Sequence, residues 1–233
     1  MTMTGQEGTE YIPAKKIIAD LANRCYAEAY EAKAKGEKIG WCASNFPVEI
    51  CETLGIPVVY PENQAAAIAA KGGGLEMCEH AEAKGYSNDL CAYARINLAY
   101  ADVKDCEQLN MPMPDFVLCC NNICNCMMKW YENLAFELKI PMIFIDIPYN
   151  EKYEVDEKRT AYIKAQFEEA IQQLEEITGK SWDEKRFAEV MAISNRTARA
   201  WLKAAIYSQY VPSPFSGFDL FNHMAAAVVA RGK

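Results

Sequence analysis

The chain has 233 residues, with 24 Lys+Arg against 32 Asp+Glu, a formal net charge of −8 and an apolar share of 51%. This composition excludes a disordered chain, and the length suits one large domain or two small ones around a real core. The acidic balance excludes a general nucleic-acid binder, which needs a basic field to neutralise phosphates, but leaves anionic small molecules open through local basic spots or helix N-termini.

Residues 13–34 read as a helix, with Pro13 at its start and Ile17, Ile18, Leu21, Ala22, Cys25 and Ala29 at helical spacing. KIGWCAS, between Gly36 and Ser44, reads as a strand ending near Cys42. Pro47 opens a helix that Gly55 closes, and IPVVY follows as a buried strand. Pro61, Glu62 and Asn63 are expected to turn before an alanine-rich helix, which the glycines 72–74 break. Residues 75–84 and 91–103 read as helices. DFVLCC is an apolar strand that runs into a helix across NNICNCMMKWYENLAFELKI, and IPMIFIDIPYN is a further strand. Strands near 38–42, 57–60, 115–119 and 142–146, alternating with helices, predict an α/β fold with a parallel sheet of about four or more strands and helices on both faces. Beyond 156 the chain reads as long amphipathic helices over 156–178 and 182–209, with Ser181 and Glu184 as a capping box, then a loop over 211–219 and a last helix. The expected division is an α/β domain over 1–155 and a helical segment over 156–233.

The start MTMTGQEGTEYIPAKK lacks the apolar stretch of an export signal, and no uncharged apolar run approaches the ~20 residues of a membrane helix. The expectation is a cytoplasmic protein with no membrane contact. Ten cysteines, all within the first 126 residues, then read as free thiols in a reducing compartment rather than as a disulfide framework. Cys25, Cys51, Cys78 and Cys106 stand alone and read as apolar filler, as does Cys42 on its strand. CCNNICNC is different: four cysteines within eight residues at a strand-to-helix turn, where backbone N–H groups favour thiolate and metal binding. Zinc commonly takes paired cysteines or histidines, and the chain has two histidines and no second close cysteine pair. An iron–sulfur cluster needs thiolates, and Cys91, which opens a helix 33 residues before Cys124, is placed to converge on it.

In a parallel sheet, working groups gather just past the carboxyl ends of the strands. Ser44, Glu62, Cys119 to Cys124 and Asp146 to Tyr149 fall there. Ser44 reads either as a hydrogen-bond donor to a substrate oxygen or as a cap, and Glu62 either as an acid or as a first-turn carboxylate. Arg95, one helical turn past Cys91, reads as a surface salt bridge, His223 as packed, and Trp130, Tyr131 and Phe136 as core.

SNDLCAYARINLAY, NNICNCMMKWYE, IPMIFIDIPYN, SPFSGFDLFNHM and GWCASNFPVEICETLGIPVVYPEN together resemble the 2-hydroxyacyl-CoA dehydratase family, which includes benzoyl-CoA reductase subunits. The resemblance covers nearly all of the chain in order and corresponds to roughly the first 60% of a family subunit, so a missing second α/β domain is expected. It implies removal of water from an (R)-2-hydroxyacyl-CoA thioester through a ketyl radical anion. A separate ATP-dependent iron–sulfur activator supplies the electron, and a second homologous subunit completes a heterodimer. By resemblance Cys91 and Cys124 are ligands of a 4Fe-4S cluster whose third cysteine lies beyond this chain; Cys119, Cys120 and Cys126 are weaker substitutes. Ser44 matches a serine near the thioester, and Glu62 an acid near the cluster that binds iron or shuttles a proton. A benzoyl-CoA reductase-type subunit, an electron-relay subunit without a substrate site and a zinc-binding structural module are the alternatives.

Overall fold

A computed structural model describes residues 13–151 and 153–233. The leader-free start read from residues 1–12 lies outside the described residues. The sheet has four strands, β1 (Gly40–Cys42), β2 (Val58–Val59), β3 (Phe116–Cys120) and β4 (Met142–Ile145). All neighbours are parallel, in the order β2-β1-β3-β4. The register sets Trp41 beside Val59 on one side and Val117 on the other. β1, β2 and β3 are buried throughout, as a sheet covered by helices requires, whereas the edge strand β4 alternates between half-buried and buried residues.

Nine α-helices surround the sheet among the described residues: α1 (Ala14–Ala34), α2 (Glu49–Leu54), α3 (Pro61–Ala70), α4 (Gly74–Ala83), α5 (Ala92–Val103), α6 (Asn125–Leu138), α7 (Glu157–Thr178), α8 (Glu184–Ala205) and α9 (Gly217–Val229). α1 packs on β2 and α9, α6 on β3, α7 on β4, and α8 on α2. Ala170 and Leu174 of α7 and Val229 of α9 join the same hydrophobic core as the strands. No helix among the described residues is long and apolar enough to cross a membrane.

Gly55 closes α2 in the left-handed conformation at φ 63°, where a Cβ is costly. Four boundaries differ from the sequence expectation. Pro61 is the first residue of α3 rather than part of a turn: its fixed φ suits the first helical position, where its missing N–H is not needed. α6 begins at Asn125, because Cys124 is extended (φ −136°) and residues 121–123 form bends. α8 is capped by Asp183 rather than Ser181; its carboxylate accepts the N–H groups of Lys185 and Arg186. α9 starts inside the expected loop, where Ser216 and Asp219 form a reciprocal capping box. Phe136 is not core: it is 83% exposed.

A buried polar chain ties three helices together. Trp130 Nε1 of α6 donates to Asn97 Oδ1 of α5 at 2.9 Å, Asn97 Nδ2 donates to Gln64 Oε1 of α3 at 3.2 Å, and Gln64 Nε2 ends on the Leu109 carbonyl. Each of these three side chains donates to the next group along, so the network specifies one arrangement of α3, α5 and α6 rather than a family of them. The N-termini of these three helices carry Glu62, Cys91 and Cys124.

Candidate functional site

The strand order reverses between β1 and β3, so the crevice beyond their carboxyl ends is the topological switch point at which α/β sheets bind ligands. The chain leaving β1 carries Ser44 and Asn45, and the chain leaving β3 carries Asn121 and Asn122. Asn45 Nδ2 donates to Asn122 Oδ1 at 2.8 Å and bridges the two sides.

Ser44 does not cap α2, whose N-cap is Val48. Its N–H and its hydroxyl both reach Glu62 Oε1, at 2.9 and 3.0 Å. Tyr131, fully buried on α6, donates its hydroxyl to Glu62 Oε2 at 3.0 Å. Burial pushes the Glu62 carboxyl above its ordinary value, while the N–H groups of Ser44 and Glu62 and the two hydroxyls favour the anion and offset part of that rise. A carboxyl whose folded value is raised stabilises the fold at low pH and loses that contribution as pH rises through the folded value. Glu62→Gln is therefore expected to gain stability relative to wild type with rising pH and to show no growing difference in acid. Urea midpoints measured from pH 4 to pH 8 check this.

Tyr131 is buried, as its sequence context predicts, but its hydroxyl has a second role on Glu62. The pointer to that role is its place seven residues after Cys124, two helical turns along the same face.

Cys91 is the N-cap of α5 and Cys124 the N-cap of α6, and both are exposed. α5 and α6 pack together, and the thiols of Cys91 and Cys124 both act on Cys126, whose own thiol burial pushes up. The thiols of the CC pair are different in kind. Burial raises Cys119, and it pushes Cys120 up to about 11, so both are protonated filler in β3. Cys25, Cys42, Cys51, Cys78 and Cys106 are buried too. Cys91 and Cys124 present exposed sulfurs at two helix starts, the donor type an iron–sulfur cluster takes. Among the described residues, no three His, Cys, Asp or Glu side chains form a group able to hold a metal ion.

The other candidates have structural partners. Arg95 pairs with Glu82 and donates to the Leu90 carbonyl. The Asp146 carboxylate is taken by Asn121 and by Tyr162, the latter at 3.0 Å. His223 Nδ1 lies 2.7 Å from the Asp219 carbonyl, with its ring against Phe215.

The profile of the family described as 2-hydroxyglutaryl-CoA dehydratase, D-component, matches residues 43–233. The chain belongs to this family. The match takes in both turns of the crevice, α3 and the N-caps of α5 and α6. Among curated family relatives, the chain is similar to the (R)-phenyllactyl-CoA dehydratase alpha subunit of Clostridium sporogenes, at 64% identity over 94% of this chain and 54% of the relative. It is 54% identical to the (R)-2-hydroxyisocaproyl-CoA dehydratase alpha subunit of Clostridioides difficile, over the same two shares. A benzoyl-CoA reductase polypeptide of Thauera aromatica is 26% identical over 68% of this chain and 37% of the relative. The chain spans about half the length of the dehydratase relatives it matches.

Proposed function

We propose that this chain forms the cluster-bearing part of the alpha subunit of an (R)-2-hydroxyacyl-CoA dehydratase, which eliminates water to give the 2-enoyl-CoA. The observation that carries the reading is that Glu62, with Ser44 bonded to it, and Cys91 and Cys124 stand at the N-termini of three helices locked together by the Gln64, Asn97 and Trp130 chain. The family and the alpha-subunit names of the dehydratase relatives support it.

In this reading Cys91 and Cys124 supply two thiolate ligands to a 4Fe-4S cluster, and a cysteine from beyond these residues supplies the third. The cluster, when bound, supplies one-electron chemistry, which the elimination needs because the β-hydrogen of a simple thioester is not acidic enough for an ordinary base. When the thioester binds, the Ser44 hydroxyl turns its one proton from Glu62 Oε1 to the thioester carbonyl oxygen, where negative charge develops on reduction. Glu62 holds the Ser44 turn in place through the Ser44 N–H, so the hydroxyl stays at hand when it turns to the substrate. Tyr131 fixes the other carboxylate oxygen and so the orientation of the pair. The partners are a second, homologous subunit and an ATP-dependent iron–sulfur activator; the location is the cytoplasm.

The test is an anaerobic assay of the complete subunit pair with activator and ATP. (R)-phenyllactyl-CoA is the first thioester to try, given the 64% identity. Enoyl-CoA formed without net consumption of reductant is the expected product. Stoichiometric reduction of benzoyl-CoA, with no dehydration of any 2-hydroxyacyl-CoA, overturns the reading in favour of a ring reductase.

A further inference from the structure

The exposed side chain of Asn122 lies on the β3 side of the switch-point crevice. Its Oδ1 accepts two bonds, from Asn45 Nδ2 at 2.8 Å and from the Cys120 thiol at 3.1 Å. The orientation of Asn45 is fixed in turn, because its Nδ2 faces two oxygens, Asn122 Oδ1 and, at 3.5 Å, the Cys120 carbonyl. With its oxygen held on the protein side, the amide N–H pair of Asn122 points away from Asn45 and Cys120, and it has no partner among the described residues. A second irregularity lies at the same place: Asn45 Oδ1 is buried without a hydrogen-bond donor, one residue from Ser44. Buried polar atoms are nearly always paired, so an orphan acceptor beside an unused donor marks a place where an outside group completes the network.

The position narrows what that group is. Asn122 stands two residues before Cys124 and across the crevice from Ser44. A group bonded to Ser44 is therefore within reach of Asn122, through Asn45 beside it. A neutral amide donor suits a neutral oxygen there and offers nothing to an alkyl hydrogen.

We infer that Asn122 binds the 2-hydroxyl oxygen of the substrate and is the residue that distinguishes a 2-hydroxyacyl-CoA from the corresponding unsubstituted acyl-CoA. Asn45 is the positioning residue that holds it. The assignment rests on the dehydratase reading and adds to it the group that recognises the hydroxyl. A donor held in place in advance discriminates, because a ligand that displaces water from it without an oxygen of its own leaves it unpaired.

The test is calorimetric and needs no turnover. The complete subunit pair, handled anaerobically and without activator or ATP, is titrated with (R)-phenyllactyl-CoA and with 3-phenylpropanoyl-CoA, which lacks only the hydroxyl. Wild type is expected to prefer the hydroxy thioester by about tenfold. Asn122→Ala is expected to abolish the preference by weakening the hydroxy thioester alone. Asn122→Leu, which keeps a side chain of similar size without any donor, is expected to do the same. Both variants change an exposed side chain and leave the core intact. Equal binding of the two thioesters by wild type, or a preference that survives in Asn122→Ala, overturns the assignment and leaves the dehydratase reading standing. No binding of either thioester overturns the assignment and counts against the substrate class as well.

Discussion

Ser44→Ala, in the complete subunit pair, is expected to lower kcat by about 10²- to 10³-fold, the usual cost of removing one donor to a developing oxyanion. The effect belongs in kcat rather than KM, because the charge on the thioester oxygen exists only after reduction begins. The variant is a clean test of the hydroxyl. The Ser44 N–H to Glu62 Oε1 bond at 2.9 Å does not depend on the side chain, and Tyr131 still donates to Oε2. The turn therefore keeps its shape. Steady-state kinetics over a range of thioester concentrations separate the two parameters. An unchanged kcat assigns Ser44 to holding Glu62 alone.

Trp41→Ala is expected to cost about 3–5 kcal/mol of stability, among the largest effects of any single truncation in the chain. Trp41 lies in β1, between β2 and β3, and is wholly buried. Its ring packs against Tyr100 with centroids 6.2 Å apart, and its Nε1 donates to the Pro112 carbonyl at 2.9 Å. Truncation opens a cavity and leaves that carbonyl unpaired. Against a typical total of about 5–15 kcal/mol, this loss leaves little reserve. Trp41→Phe keeps most of the ring volume and gives up mainly the hydrogen bond, so it is expected to cost about 1–3 kcal/mol. Urea unfolding at fixed pH gives both numbers, and a drop of under about 1 kcal/mol in Trp41→Ala contradicts the packing described here.

Much of the architecture is legible in the residues. The apolar runs WC, VV, FVLCC and MIFI, separated by helical stretches, allow little but a parallel sheet, and Gly55 marks the end of α2 directly. The cysteine spacing puts Cys91 and Cys124 at helix starts, and both are N-caps. What the sequence hides is tertiary. Ser44 and Glu62 are 18 residues apart, and Tyr131 is 69 residues from Glu62, so no local pattern announces that they share one carboxylate. Ser181 and Asp183 are both good capping residues within one turn. The Glu175 carboxylate takes the Trp182 N–H between them, and the nearer residue, Asp183, caps α8. Phe136 follows the apolar periodicity of α6 outward rather than inward, which hydrophobicity alone does not distinguish.

Cys91 and Cys124 are proposed to anchor an iron–sulfur cluster in a dehydratase subunit. Iron and acid-labile sulfide measured on the anaerobically purified complete subunit, beside its Cys91→Ser, Cys124→Ser and Cys51→Ser forms, tests this most directly. About four irons and four sulfides per wild-type subunit are expected, retained in Cys51→Ser, whose sulfur is buried, and lost in both of the other variants. Full iron and sulfide in Cys91→Ser and Cys124→Ser, or one zinc per chain in place of iron, would contradict it.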